Sequence, residues 1–235
     1  LSQTHIDVIN IPEVHEEIGR GDRPVLNQER GEPRKFGMLL QDIVGIEAIV
    51  NRVVVHLPFK DQMKWIEETY SKYEIDNLII VGGESSEQKY PGPTVNQSLM
   101  AVSEIMMEDK QKIFCGGICI PSRNKESKNL IKKSECGAEF FTTQVLCDSE
   151  NIIKMIKNYQ DRCNEIGTFP RRILLSFAPV SSKKNIDFLK WLGVEIPHDT
   201  EKYLNGRPGS MIERSLDVAI EVLNEILGFI SDNNL

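Results

Sequence analysis

The stretch LIIVGGE at residues 78–84 decides the fold: four apolar residues run together, two glycines follow and a carboxylate closes the run. A strand with one solvated face alternates, so an unbroken run of this length reads as a parallel strand buried on both faces. The same design recurs on either side, in VVVHLPF at 53–59, FCGGICIP at 114–121, FFTTQVL at 140–146 and ILLSFAPV at 173–180. With His56, Glu84, Gly116, Gln144 and Ser176 as markers, the steps are 28, 32, 28 and 32 residues. About 30 residues is the length of one βαβ unit, so the interval predicts parallel α/β architecture.

Further out, IDVINIP at 6–12 reads as a sixth strand, and the Gly-, Pro- and charge-rich segment at 19–37 as a mobile loop. Near-helical spacing of Met38, Leu39, Ile43, Ile46 and Ile49 leads into the VVVHLPF strand, and helices are expected at 61–73, 95–108, 124–136, 149–166, 183–192 and 210–231. Ser210 and Glu213 form a capping box ahead of one apolar face made of Ile212, Leu216, Ala219, Ile220, Leu223, Ile226, Leu227 and Ile230. In 149–166 the stripe is Ile152, Ile156, Tyr159, Cys163 and Ile166, with Asp148 or Ser149 as cap. Six strand-and-helix pairs suit an open doubly wound sheet or part of a (β/α)8 barrel. No G-x-G-x-x-G joins a strand to a helix, which favours the barrel. At 235 residues a single barrel domain over 1–235 is expected.

The net charge of −7 argues against nucleic-acid and anionic-membrane partners. No stretch of about 18 apolar residues suggests a membrane span, and no signal-peptide pattern opens the chain, so a cytoplasmic protein is expected. Five cysteines, an odd number without zinc or haem spacing, read as reduced, mainly buried thiols, and no metal site is expected.

Ligands of parallel α/β folds bind at the carboxyl ends of the strands. Pro12, Glu13, His56, Glu84, Gln144, Ser176 and Ser181 stand there by sequence. His56 suits a base, a cofactor hydrogen-bond donor or a satisfied core residue. Glu84 follows two glycines that let a ligand approach the backbone, and a carboxylate is costly to bury unless paired. Gln144 offers donor and acceptor together, as a heterocycle edge requires, or as a structural amide would. Asn129, Lys132 and Lys133 lie at i, i+3 and i+4 and define one helical face suited to a phosphate or diphosphate, or merely a solvated one. Gly206–Ser210, ahead of a helix, is a second candidate anion site. Without a nucleophile or metal motif, a bound cofactor is expected to carry the chemistry.

These strand ends resemble the methylenetetrahydrofolate reductase family, flavin-dependent (β/α)8 barrels of one-carbon metabolism. HLPFKD at 56–61 is similar to the family's H-L-T-C segment, and VGGE at 81–84 stands where the family has R-G-D. ECGAEFFTTQVLCD at 135–148 resembles its A-G-A-(x)3-I-T-Q-(x)3-D signature, and APVSSKKNIDFLKWLGVEIP at 178–197 its proline-rich segment after strand seven. The resemblance spans about residues 5 to 200. It implies an FAD flavoprotein in which His56, Gly82, Gly83 and Glu84 contact flavin and Asn96 lies beside the adenosine half. Glu126, Asn129, Lys132 and Lys133 would hold ribose and diphosphate. Glu84 would also approach the folate pterin, Gln144 would bond the pterin or nicotinamide edge, and Asn185 would contact substrate. Glu84 and Gln144 are thus the catalytic candidates.

The implied activity is an oxidoreductase passing hydride from NAD(P)H through FAD to a methylene-folate or related pterin, on the route to methionine biosynthesis. Departures from the pattern are Pro12 for a Thr, Gly82 for the Arg and Glu84 for the Asp of R-G-D. The family's first-strand glutamate has no counterpart before IDVINIP, so the first and last barrel strands are expected to lie outside these residues. The alternative is a folate-binding accessory protein without reductase activity of its own. Self-association or a partner subunit is compatible with both. A phosphate-binding barrel aldolase or isomerase using Gly206–Ser210 is the third reading.

Overall fold

A computed structural model of the chain describes residues 5–13, 31–83, 89–109, 113–207 and 209–233. Among these residues, strands and helices alternate: β1 Val8–Ile11, α1 Pro33–Val44, β2 Glu47–Val53, α2 Phe59–Tyr73, β3 Asn77–Val81, α3 Val95–Asp109, β4 Phe114–Cys119, α4 Glu126–Glu135, β5 Phe140–Val145, α5 Glu150–Ile166 and β6 Arg172–Ser176. Three helices follow in succession, α6 Lys183–Trp191, α7 His198–Leu204 and α8 Met211–Asn233. The six parallel strands lie in the sheet in chain order. Val8 stands opposite Glu47, Val50 opposite Leu78 and Ile79 opposite Gly116. A doubly wound sheet reverses its strand order at a switch point, whereas a barrel lays each new strand beside the last. The monotonic order therefore makes this a partial (β/α)8 TIM-type fold.

Contacts within the chain divide it into two compact units. The first carries β1 to β3, β4 as far as Ile118, α1 to α3 and Lys132–Phe141; the second carries Cys119–Ile131 and the described residues from Thr142 onward. In the first, Ala48, Val50, Leu78, Ile79 and Ile80 are fully buried, as unbroken apolar strands demand. Ile49, Ile79 and Phe140 form a second apolar cluster with Val8, Val81 and Ile118. In the second unit, Val180, Ile186, Leu189, Val194 and Leu204 form the core against Val145, Met211 and Val218.

Several elements differ from the sequence expectations. VVVHLPF is not the strand: β2 ends at Val53, and Val54–His56 is a 3₁₀ turn. The polar pair Asn51-Arg52 masks the true strand, because Arg52 is buried at 7% exposure. Its guanidinium bonds Glu13 at 2.9 Å and Gln62 at 2.8 Å and lies 4.3 Å from the Trp65 ring centroid. Arg34 approaches the same indole at 4.4 Å, so Trp65 meets two guanidinium groups.

The end of the expected loop is helical. Pro33 opens α1, the Glu32 carboxylate accepts the Arg34 backbone N–H, and Gly45 closes the helix at φ 69°. Positions 19–30 of that loop lie outside the described residues. α7 was not anticipated at all.

The Ser210–Glu213 capping box forms as expected, with Ser210 N donating to Glu213 Oε2 at 2.8 Å and Glu213 N to Ser210 Oγ at 3.3 Å. The apolar face expected of α8 does not pack as one. Ser215, Val222 and Ile226 are buried, whereas Ile212, Leu216, Ile220 and Leu227 are 43–57% exposed. The packed stripe is displaced around the helix because Arg214, also buried, turns inward to bond the Leu204 and Gly209 carbonyls. On α5, Met155 takes the buried place expected of Ile156, and Ile166 is 54% exposed. Asp148 caps that helix, its carboxylate accepting Asn151 N at 3.2 Å.

Candidate functional site

In the first unit, the carboxyl ends of β2 and β3 carry His56, Gly82 and Gly83. The 3₁₀ turn places a half-buried His56 just past β2. A return segment, residues 89–94, lies on that turn, and Gly92 N donates to Val55 O at 2.8 Å. A Cβ at Gly92 would stand 2.4 Å from the carbonyl oxygens of both Val54 and Leu57, so only glycine permits this approach. The segment holds Tyr90 against His56, ring centroids 5.7 Å apart and planes at 79°, an edge-to-face pair.

Gly82 and Gly83 follow directly on β3, and a Cβ at Gly83 would fall 2.3 Å from the Tyr90 ring. Glu84, the residue on which most was expected, lies outside the described residues. Asn96 is half-buried in the first turn of α3, where Thr94 and Gln97 exchange hydrogen bonds, Gln97 N to Thr94 Oγ1 at 3.3 Å and Thr94 N to Gln97 Oε1 at 2.9 Å.

The basic face expected on α4 divides. Lys132 is exposed, but Lys133 is buried at 8% exposure and its Nζ donates to Ile118 O at 2.5 Å. The helix buries Glu126, Ser127, Leu130 and Lys133, so a lysine one position on from Lys132 falls on the inward stripe. Glu126 is 2% exposed; Oε1 accepts Ile120 N at 3.2 Å and Oε2 accepts Asn129 Nδ2 at 3.0 Å. Arg123 approaches the same carboxylate at 3.6 Å. Glu126, Asn129 and Lys133 therefore all make bonds inside the protein.

In the second unit, Gln144 stands half-buried at the end of β5, and its Nε2 donates to Leu192 O at 3.1 Å. That bond uses one of the amide's two N–H groups. Beside it, Thr143 Oγ1 accepts Ser176 N at 2.8 Å and Thr142 Oγ1 meets Ser176 Oγ at 3.1 Å, so the two threonines tie β5 to β6 through side chains. Asn185 caps rather than projects: its Oδ1 accepts from Ser181 N, Ser181 Oγ and Ser182 Oγ at 2.9–3.2 Å, and its N–H from α6 returns to Ser182 Oγ.

The Gly206–Ser210 anion site is also occupied from within, because the Glu213 carboxylate already takes Ser210 N. Pro208 lies outside the described residues. This removes the support on which the aldolase reading rested.

A cavity of about 480 Å³ lies in the first unit at the opposite, amino-terminal ends of β2 to β4, lined by Gln41, Glu47, Glu74, Asp76, Asn77 and Phe114. Ligand sites of this fold belong to the other end. Burial pushes the Cys115 thiol up to about 12 and Cys147 up to about 11, with Glu139 and Asp148 adding to the respective shifts. Neither is a nucleophile at neutral pH. Among the described residues, no helix is long and apolar enough to cross a membrane.

The family description methylenetetrahydrofolate reductase matches residues 115–229. Over that stretch, just under half of the chain, the sequence is similar to the methylenetetrahydrofolate reductase family. The match begins in β4, runs through the Gln144 strand and ends near the close of α8.

An uncharacterized protein from Clostridium thermocellum, described as binding two copies of 5-methyl-5,6,7,8-tetrahydrofolic acid, has a similar structure: TM-score 0.75 at 19% identity, over 100% of this chain and 75% of that one. At that identity the likeness speaks for the fold. A protein called N2152 from Neocallimastix frontalis aligns with 80% of this chain and 52% of its own at TM-score 0.47 and 15% identity, too low to carry an argument. No curated protein matches the sequence.

Tyr90 was missed by sequence reasoning. The cue was YPGPT at 90–94, whose Pro-Gly-Pro marks a tight return after a strand end.

Proposed function

We propose that this chain binds a reduced folate, with the pterin edge read by the Gln144 amide at the end of β5. The observation that carries the proposal is the methylenetetrahydrofolate reductase-family match over 115–229, which contains that strand. The Clostridium thermocellum protein, described as binding 5-methyl-tetrahydrofolate, supports the same ligand class. Gln144 suits the role chemically, since a pterin edge presents adjacent donors and acceptors and an amide matches both. A cytoplasmic role in one-carbon metabolism goes with this reading.

The finer reading is a reductase in which FAD relays hydride from NAD(P)H to a methylene-folate. FAD, when bound, would supply the hydride-transfer chemistry. Among the described residues, however, the groups assigned to it do not form a cradle as they stand. Glu126 and Lys133 are engaged with backbone groups, Asn129 with Glu126, and the Gly83 surface is covered by Tyr90. The accessory, folate-binding role is therefore preferred, and no catalytic step is derived through the flavin.

Isothermal calorimetry with 5-methyltetrahydrofolate tests the proposal. Binding to the wild-type chain is expected, weakened about tenfold in Gln144→Ala, the loss of roughly one hydrogen bond. Absence of binding to the folded wild-type chain at millimolar ligand overturns it.

A further inference from the structure

Gly82 and Gly83 follow β3 without side chains, and such a backbone surface is where a flat ring can lie closest. A ring already lies there. A Cβ at Gly83 would stand 2.3 Å from Tyr90 Cζ and 2.5 Å from both Cε2 and the hydroxyl oxygen, so the tyrosine fills the space that glycine leaves. The ring also pairs edge-to-face with His56. Behind it the backbone is fixed, since Gly92 N bonds Val55 O and Gly92 itself has no room for a side chain.

We propose that Tyr90 is a built-in plug on a ring-binding platform formed by Gly82, Gly83 and His56, and that a fused pteridine-type ring reaches the platform only when Tyr90 swings aside. That ring system is common to folates and flavins. The proposal rests on the folate reading above for the class of ring; the plug itself rests on Tyr90, Gly83 and His56. Its position also accounts for the poor fit of FAD to the closed arrangement. The Tyr90 side chain is half-buried rather than sealed in the core.

The test compares wild type, Tyr90→Ala and Tyr90→Phe, using FAD followed by its fluorescence and 5-methyltetrahydrofolate followed by calorimetry. Tyr90→Ala is expected to bind at least one of the two at least tenfold tighter than wild type. Tyr90→Phe, which keeps the ring, is expected to behave as wild type. A Tyr90→Ala protein with native circular dichroism that gains affinity for neither ring overturns the proposal.

Should that variant fail to fold, the wild-type chain carries the test through 3-fluorotyrosine. Among its five tyrosines, the Tyr90 resonance is identified by its loss in Tyr90→Phe, and it is expected to shift on adding ligand. No shift at the highest soluble concentration of both ligands overturns the plug. The two readings fail separately. Folate binding to wild type without a shift or a gain in Tyr90→Ala removes the plug alone, and a gain for FAD without any folate binding removes the folate reading alone.

Discussion

Replacing Arg52 with methionine asks whether a buried charge pair holds the ends of β1 and β2 together. Arg52 Nη1 donates to Glu13 Oε1 at 2.9 Å, Nε donates to Gln62 Oε1 at 2.8 Å, and the guanidinium stacks on Trp65. Glu13, its side chain 15% exposed, also accepts Val53 N at 2.6 Å and so bridges the two strands. Methionine keeps much of the aliphatic volume but withdraws the positive charge from beside a largely buried carboxylate.

Removing one partner of a buried pair costs about 3–5 kcal/mol, and the cation–π contact adds about 1 kcal/mol. The surviving Val53 bond and the buried thioether offset part of this, leaving roughly 3–4 kcal/mol. For a chain of this size that corresponds to a fall in Tm of about 10 °C. Urea and thermal unfolding followed by tryptophan fluorescence measure it, because Trp65 sits in the affected cluster. Glu13→Gln and the double variant complete the cycle, and the double variant should cost less than the two single changes together by about 1–3 kcal/mol. A single-variant cost below about 1 kcal/mol, or strict additivity, refutes the account.

Two further outcomes concern titration and reactivity. Donation from the Ser210 backbone N–H and hydroxyl lowers the Glu213 pKa below its ordinary 4.5. The cap's contribution is therefore complete above the unfolded value and is lost as pH falls through the lower folded one, so α8 helicity by circular dichroism should decline in acid for wild type and change less with pH in Glu213→Gln; identical acid profiles contradict this. With its pKa pushed up to about 12 by burial, Cys115 carries a thiolate fraction of about 10⁻⁴ at pH 8, and iodoacetamide labelling resolved by mass spectrometry should be at least about a hundredfold slower in the folded chain than in urea. Equal rates would show that the thiol is not enclosed.

Much of the fold was legible because buried parallel strands leave an unambiguous pattern. LIIV at 78–81, FFTTQV at 140–145 and ILLS at 173–176 fall within β3, β5 and β6. β2 was misplaced by its own chemistry: Arg52 looks like a strand boundary in sequence, and only Glu13, Gln62 and Trp65 from other elements make its burial tolerable. The start of α1 was hidden because Pro33 and Gly37 suggested a loop, although Pro at the first helical position is a helix signal; from Met38 the near-helical spacing did mark the helix, which Gly45 ends before β2 takes up Ile49.

At the site, strand-end position was readable but side-chain direction was not. Helical spacing groups Lys132 with Lys133, yet one is exposed and the other reaches a β4 carbonyl. The segment carrying Tyr90 reaches His56 through backbone contacts at Gly92, which no local pattern encodes.

The tightness at Gly92 also bears on time. Because the 89–94 backbone is pinned to the 3₁₀ turn at Val55, moving Tyr90 aside is a side-chain rotation rather than the opening of a loop. Rotamer exchange runs many orders of magnitude faster than millisecond lid motion. In stopped-flow mixing, ring binding should therefore give a single exponential whose observed rate rises linearly with ligand concentration, without the plateau that a slow gating step imposes.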